Sequence, residues 1–229
     1  MCDLQGQKKT TDSVVKESSV EFAKQIYHTQ RAEGSAILNG VFHEGYASSI
    51  EGYAYFHSPD WQQGTVVYDY ILYENVVMKY DLVKDQLIVS PRDVKGLNIS
   101  LYSPRVEQFS FSGFNFIWLN GSGQQSFSAH GFYQVLISGD ITMLARRSKE
   151  ITEITGGLTV LRKFKEKANY YLLKDGLVTL VESMSDLLSV VKDRKKEIQQ
   201  FLSGKKLKYK RSPAETILEA IKFYNQSSR

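Results

Sequence analysis

Residues 65–90, TVVYDYILYENVVMKYDLVKDQLIVS, carry the clearest strand pattern in this chain of 229 residues. They form three short runs rich in Val, Ile and Tyr, which are residues that favour strands. The pairs Asp69-Tyr70 and Lys84-Asp85 stand near the two points where the chain would reverse. The stretch therefore predicts a three-strand antiparallel meander, in which Asp81 and Asp85 belong to a hairpin end and are interpreted as turn residues.

The same composition continues on both sides, from about residue 36 to residue 181, in roughly a dozen segments separated by Gly, Asp, Asn and Ser. Gly139-Asp140 and Asp175-Gly176 mark two further hairpin turns. Asp-Gly is the stronger signal, because Gly accepts the positive φ of a type I′ turn at no steric cost. No strand-like run is followed by the long helical segment that a parallel crossover needs. The sequence therefore predicts a mainly β (α+β) fold with an antiparallel β-sandwich or a barrel-like body.

Helical patterns flank this body. Residues 14–31 place apolar side chains at helical spacing and predict an N-terminal helix. Residues 184–229 predict two to three helices, and Ser212-Pro213-Ala214-Glu215 supplies a capping box with Pro at the first helical position. We expect residues 1–13 to be disordered, residues 14–183 to form the N-terminal helix and the β body, and residues 184–229 to form a basic helical appendage packed on that body.

The formal charge of +4 is unevenly distributed. Residues 1–183 carry 18 Lys or Arg against 20 Asp or Glu, whereas residues 184–229 carry 11 against 5. A basic tail suits an anionic lipid surface or an acidic protein face, although a solvated helical face has the same composition. Nucleic acid is disfavoured, since the rest of the chain lacks the basic stripe and aromatic motifs of nucleic-acid binders. The tail residues predicted to bind a partner are Lys205, Lys206, Lys208, Lys210 and Arg211.

Aromatic residues make up 12% of the chain and cluster on the predicted strands. Rings on a β face stack on sugars or anchor protein partners. Strand alternation also places about half of such rings in the core. We select Trp61, Tyr73 and Trp118 as candidate ligand- or partner-binding residues.

Side chains with catalytic or metal-binding chemistry are few. His43, His57 and His130 are candidates for a hydrolase, but the Ser-rich loop before His130 lacks the G-x-S-x-G elbow. The carboxylates near His43 and His57 do not come with the two-histidine spacing of a metalloprotease helix. The single cysteine, Cys2, can form neither an internal disulfide nor a Cys-based zinc site. With no phosphate-binding loop either, the sequence predicts no catalytic residue, no metal and no cofactor.

A family resemblance is carried by five segments in order: LNGVFHEGY (38–46), residues 52–89, HGFYQVLISGDITMLARR (130–147), residues 170–202 and the closing helix to FYN (223–225). They resemble the uncharacterised envelope proteins of the Bacteroidota, which carry a signal peptide and have no assigned function. The resemblance implies export to the periplasm or the outer membrane and transfers no role to any residue. The polar run 5–13 fits this expectation, because it reads as the start of a mature exported chain.

Three functions remain open at this point. The first is a non-catalytic envelope protein that acts as an accessory or interaction subunit of an outer-membrane-associated complex, with an envelope protein or an anionic membrane surface as its partner. The second is a glycan- or lipid-binding β module with a small ligand. The third is a hydrolase that uses His43, His57 or His130.

Overall fold

The computed structural model describes residues 37, 40–91, 96–121, 130–156 and 159–226. The disordered segment expected at residues 1–13 and the helix expected at residues 14–31 lie outside the described residues. So does most of the Ser-rich loop that precedes His130.

All twelve described strands belong to one hydrogen-bonded sheet. The sheet follows the order β1-β6-β5-β4-β3-β7-β8-β9-β10-β11-β12, and β2 joins it as the only described parallel partner, beside β11. The strands are β1 (Val41–Phe42), β2 (Ile50–Glu51), β3 (Gln62–Tyr68), β4 (Ile71–Asp81), β5 (Gln86–Val89), β6 (Ile99–Ser100), β7 (Val106–Phe111), β8 (Phe114–Leu119), β9 (Gly131–Ile137), β10 (Ile141–Gly156), β11 (Thr159–Lys174) and β12 (Leu177–Leu180).

This topology confirms the mainly β fold and the antiparallel meander β3-β4-β5. The ladder is open, because β1 and β12 lie at its two ends. The barrel-like alternative is therefore wrong for the described strands, because no pairing joins the two end strands. A two-sheet sandwich is not confirmed.

The hairpin turns lie where the sequence predicts them. Asp69 and Tyr70 have φ angles of 51° and 63°, as a type I′ turn requires at both central residues. Asp175 and Gly176 repeat this geometry between β11 and β12, with φ angles of 51° and 76°. These turns fix the register of the strands on either side.

Three helices follow the sheet, as the sequence predicts: α1 (Met184–Val190), α2 (Lys195–Gly204) and α3 (Pro213–Gln226). Ser183 caps α1, since its side chain accepts a hydrogen bond from the backbone N–H of Asp186. The buried face of α3 includes Ile217 and Ile221, which pack against the sheet side chains Ile141 and Met143.

The described residues form two large cores of different composition. The aromatic core lies on β3 to β9 and is rich in rings: Phe56, Tyr68, Tyr73, Tyr80, Phe109, Phe111, Phe116 and Phe132. The helix-covered core lies between the three helices and β10 to β12, and its buried side chains are mostly aliphatic. Edge-to-face and stacked ring pairs add to the area buried in the first core.

Strands β10 and β11 form one hairpin of 16 residues each, joined by an uninterrupted antiparallel register from Ile141↔Lys174 to Gly156↔Thr159. Typical strands have roughly five to six residues, so this hairpin is about three times the usual length. We call residues 141–145 and 170–174 the hairpin base, and residues 151–155 and 160–163 the hairpin tip. Residues of the base belong to the helix-covered core, whereas no residue of the tip does.

Candidate functional site: the hairpin tip

The hairpin is anchored to the body at Lys149. Its Nζ donates to the carbonyl oxygens of Tyr53 and Tyr55 at 3.0 and 2.7 Å, and its backbone N–H donates to the carbonyl of Leu82 at 2.9 Å. Burial lowers the pKa of this ammonium group, and nearby carboxylates oppose the shift. Two carbonyl acceptors offset part of the cost of burying the charge. Lys149 therefore fixes the point from which the tip extends.

Beyond Lys149, the described contacts with the body are few. The two-residue strand β2 pairs with Arg162 and Lys163, and the ring of Phe164 contacts Tyr46 edge-on at 5.3 Å. The tip is thus supported along one edge of β11 near its root. Along the rest of the tip, no further described strand pairs with the hairpin.

Apolar side chains are exposed on both faces of the tip. Ile151 and Val160 lie on one face, with exposed fractions of 39% and 59%. Ile154 and Leu161 are cross-strand partners on the other face, with exposed fractions of 44% and 47%. The two faces follow from strand alternation, which sends successive side chains to opposite sides of the ladder. Clustered exposed apolar side chains of this kind mark interaction sites more often than isolated ones do.

The charges around the tip leave a cationic surplus. Arg162 pairs with Glu153 at 2.8 Å, and Lys167 pairs with Glu150 at 2.7 Å. Lys163 and Lys165 form no ion pair within the described ranges, although the exposed Glu51 stands beside Lys163 in the β2 register. Exposed pairs of this type contribute little to stability. The tip therefore presents apolar side chains together with an excess of positive charge, although Glu51 lies beside Lys163 and Glu150 lies opposite Lys165 in the ladder.

Sequence reasoning does not single out the tip. A signal was available, because two long runs rich in Ile, Val and Thr meet at Gly156 and Gly157. The two runs are longer than ordinary strands, which usually have about 3–10 residues. What the sequence does not give is where the helices stop covering the hairpin.

The three aromatic residues predicted to bind a ligand or partner lie in different surroundings. Trp61 is 37% exposed, and the ammonium of Lys79 lies 4.6 Å from its ring centre. Tyr73 is only 5% exposed in the aromatic core, so it presents little surface to a partner. Trp118 is half-buried against Phe132 at 4.9 Å. The structure does not gather them into one site, and their binding role stays a prediction.

The basic segment between α2 and α3 presents its cations to solvent. Leu207 and Tyr209 point into the helix-covered core, and the Tyr209 hydroxyl donates to the carbonyl of Val181 at 2.8 Å. Lys205 is paired with Glu219. The remaining cations are exposed and form no ion pair with any described residue: Lys206, Lys208, Lys210 and Arg211. This basic loop is the second charged surface of the protein.

The three candidate histidines are not brought together. His57 packs against Phe114 at 5.1 Å, and His130 lies 6.3 Å from the ring of Trp118. His43 is buried beside Tyr46. No hydrogen bond or ring contact joins two of these imidazoles in the described part of the chain. A hydrolase that combines them therefore finds no support in the geometry.

His43 lies near a serine and an aspartate. Its Nδ1 lies 3.1 Å from Ser100 Oγ, and its Nε2 lies 3.7 Å from Asp81 Oδ2, which is beyond hydrogen-bond distance. Asp81 is fully buried and accepts hydrogen bonds from the Tyr46 hydroxyl and from the backbone N–H groups of Val83 and Lys84. Burial lowers the pKa of His43 and therefore favours the neutral imidazole. The residue types match a nucleophilic triad, but the carboxylate serves the turn after β4 rather than the imidazole.

A groove of about 660 Å³ lies at the edge strand β1, lined in part by Val41, Gln86, Ser100 and Tyr102. Val41 and Tyr102 are largely exposed. The volume falls in the range of small-ligand sites, about 300–1,000 Å³. The groove is separate from the hairpin tip.

Among the described residues, no group of three or more His, Cys, Asp or Glu side chains is placed to hold a metal ion. None of the described helices combines the length and the apolarity needed to cross a bilayer. The chain matches no family model, no curated protein and no solved structure.

Proposed function

We propose that this protein is a non-catalytic interaction subunit of the cell envelope, which docks on an outer-membrane-associated complex through the hairpin tip. The observation that carries the proposal is the exposure of Ile151, Ile154, Val160 and Leu161 at the end of an unusually long hairpin. A fold that covers the hairpin base with three helices leaves these side chains in water. A partner that buries them supplies the missing cover.

The exposed side chains of the tip supply part of the free energy of docking. Fully burying one exposed Val, Leu or Ile side chain contributes roughly 1.5–3 kcal/mol. The four side chains are between 39% and 59% exposed, so burying what remains contributes about half of that for each, or roughly 3–6 kcal/mol in all. Association itself costs at least about 4 kcal/mol in lost freedom of motion, so docking needs all four side chains together and further contacts beside them.

The basic loop supports the proposal in a second way. Lys206, Lys208, Lys210 and Arg211 are exposed and without an ion pair among the described residues. Clustered charge of one sign steers encounters with an anionic partner and does so less at high salt. The loop therefore favours a partner with an acidic face.

The envelope setting rests on the sequence. The resemblance to exported Bacteroidota proteins implies a periplasmic or outer-membrane-associated location. A tip that docks on a membrane-associated complex is consistent with that setting.

The test is affinity capture of the tagged full-length protein from its native membrane fraction in mild detergent, read by mass spectrometry. The tip variant Ile154→Asp/Leu161→Asp is compared with the control Leu72→Asp, which places one such carboxylate at an exposed leucine of β4. We expect a stoichiometric partner with the wild type and with the control, and loss of that partner with the tip variant. Equal recovery with the tip variant, or recovery of the protein alone from wild-type cells, contradicts the proposal.

The groove at β1 favours one second candidate, a glycan- or lipid-binding module. Its volume and the exposed ring of Tyr102 suit a small ligand with an apolar or sugar face. Native mass spectrometry of the protein purified from its own cells tests this candidate. A bound small molecule that is lost in Tyr102→Ala supports it, whereas a ligand-free spectrum argues against it.

A further inference from the structure

A shallow groove of about 450 Å³ lies between α2 and α3. Its lining is mostly apolar and comes from Glu197, Gln200, Phe201, Gly204, Lys205 and Phe223. None of these residues belongs to the hairpin tip, and none lines the groove at β1. The helices therefore carry a surface that the proposed function does not use.

Two half-buried rings form the apolar part of this groove. Phe201 of α2 and Phe223 of α3 stack with their ring centres 4.3 Å apart. The ammonium of Lys205 lies 4.9 Å from the centre of the Phe201 ring, and the guanidinium carbon of Arg194 lies 5.4 Å from the centre of the Phe223 ring. Stacked rings and cations over ring faces attract each other, so these contacts hold the two rings in place. The groove therefore has a preformed aromatic wall.

Gly204 keeps the groove open at the end of α2. A Cβ built at this position meets no heavy atom of the described residues within 4 Å. Because Gly204 lines the groove, a larger side chain there would take up part of its free space. The position thus allows the groove to be filled without displacing any described atom near the new Cβ.

Most carboxylates of the helical region are already engaged within the fold. Residues 184–229 contain five carboxylates against eleven Lys or Arg residues. Four of the five have partners: Asp186 bonds Ser183, Asp193 pairs with Lys174, Glu197 pairs with Arg194, and Glu219 pairs with Lys205 and Lys222. They therefore do little to neutralise the basic loop.

The basic loop continues directly from Lys205, at the edge of the groove. Two carboxylates remain near the loop, Glu215 in the first turn of α3 and Glu182 near Tyr209. The loop itself presents four exposed cations. Positive charge therefore exceeds negative charge beside the groove.

The shape of the groove favours a side chain of a protein segment over a free small molecule. Small-ligand sites enclose most of the ligand's surface, whereas a shallow groove covers one side. A side chain on a partner segment needs less enclosure, because the rest of the segment binds alongside. Apolar anchors of this kind, seated in a pocket, contribute most of the binding energy of many interfaces. The positive charge beside the groove favours acidic residues next to the anchor.

We propose that the groove between α2 and α3 receives an apolar side chain from an acidic segment of a protein partner, while the basic loop pairs with the Asp and Glu residues of that segment. The inference goes beyond the proposed function, because it concerns a second surface and does not depend on the hairpin tip. Failure at the groove would leave the docking role of the tip standing, and the tip variant tests that role separately.

The probe is a library of short random peptides displayed on phage and selected against the purified full-length protein at low salt. We expect the enriched peptides to combine an aromatic or large aliphatic residue with several Asp or Glu residues. A synthetic copy of one enriched peptide is then titrated by calorimetry. Its affinity should fall when the apolar residue is replaced by Ser, and it should fall as salt is added.

The variants assign this binding to the groove. Gly204→Leu fills the groove and should weaken the synthetic peptide at least about tenfold, because the anchor loses its place. Ser203→Leu adds the same side chain at the exposed neighbouring residue, outside the lining, and should leave the affinity unchanged. Lys208→Glu/Lys210→Glu should weaken binding at low salt and reduce its salt dependence. Leu favours a helix more than Gly does, so Gly204→Leu should unfold at the wild-type temperature or above it.

Three results overturn the inference. The first is a selection that enriches no peptide, or peptides without acidic residues. The second is equal affinity of Gly204→Leu and the wild type for the synthetic peptide. The third is loss of binding in Ile154→Asp/Leu161→Asp with full binding in Gly204→Leu, which assigns the peptide to the hairpin tip.

Discussion

The two ends of the β10–β11 hairpin share one ladder but have opposite surroundings. At the base, Ile141, Met143 and Leu172 are fully buried under the helices. At the tip, Ile154 and Leu161 remain nearly half exposed in the same antiparallel register. The base makes the fold stable, and the tip adds apolar surface that the fold does not bury.

The difference follows from the helices rather than from the strands. Asn225, near the end of α3, binds the first residue of β10 through its side-chain amide. The amide nitrogen donates to the Ile141 carbonyl at 2.9 Å, and the amide oxygen accepts from the Ile141 N–H at 3.0 Å. Lys174 ties the far side of the base to Tyr224 and Asp193. These contacts hold the helical layer at one end of the hairpin.

The largest effect on stability is expected when an isoleucine of the hairpin base is replaced by aspartate, and the same replacement at the tip is its control. Ile141→Asp places an unpaired carboxylate in the helix-covered core and should lower the free energy of unfolding by about 3–5 kcal/mol. Ile154→Asp makes the same chemical change at the exposed tip and should stay within about 0.5 kcal/mol of the wild type. Denaturant unfolding of both variants measures this contrast. Similar losses in the two variants would show that the tip is buried in solution.

Removing the amide that joins α3 to β10 should have a smaller effect. Asn225→Ala leaves the N–H and C=O of Ile141 without their partners, which should cost about 1–3 kcal/mol. Gln226→Ala, next along the helix and exposed, is the control and should change stability little. Calorimetry or denaturant unfolding tests the pair, and equal stability of both variants would refute the role of Asn225 in holding the helices.

Acid should weaken the fold through His43. Burial holds the pKa of this imidazole below its ordinary value of about 6.5, whereas the unfolded chain keeps the ordinary value. The unfolded state therefore binds more protons, so the stability contributed by neutral His43 is present above about pH 6.5 and is lost as the pH falls below it. Unfolding free energies measured across this range should decline toward acid pH.

Two substitutions isolate this contribution. His43→Asn should make the decline shallower, because the titrating group is gone. His57→Asn is the matched control, since His57 is exposed and has a φ of 63° that Asn tolerates. An unchanged pH slope in His43→Asn would show that the decline has another source.

The smallest effect is expected from the ion pairs of the tip. The side chains of Arg162 and Glu153 are both more than half exposed, so Arg162→Ala should change the unfolding free energy by no more than about 0.5 kcal/mol. A thermal unfolding curve measures this. A loss above about 1 kcal/mol would mean that the tip contributes to the stability of the fold after all.

Local turn chemistry and strand composition made much of the fold predictable. The meander at residues 65–90, the type I′ turn at Asp175-Gly176 and the closing helix from Pro213 all depend on neighbouring residues, and all are confirmed. The interleaving of Leu207 and Tyr209 with exposed cations also follows the sequence pattern.

Contacts between distant residues were not predictable in this way. Asp81 is a turn residue, as expected, but it is also fully buried, and Tyr46, 35 residues earlier, donates a hydrogen bond to its carboxylate. The sequence selects Trp61 as a candidate binding residue, but it does not predict that the ammonium of Lys79 lies over its ring. The tip was missed for the same reason, since its exposure depends on where α3 ends its contact with the hairpin.

Amide hydrogen exchange of the full-length protein, alone and with its own membrane fraction, tests the docking role of the tip most directly. Residues 151–155 and 160–163 should exchange fast in the free protein, because their ladder has little tertiary cover, and should slow when membranes are added. Residues 141–145 and 170–174 should exchange slowly in both samples. Exchange at the tip that membranes leave unchanged, while another surface becomes protected, would contradict the account.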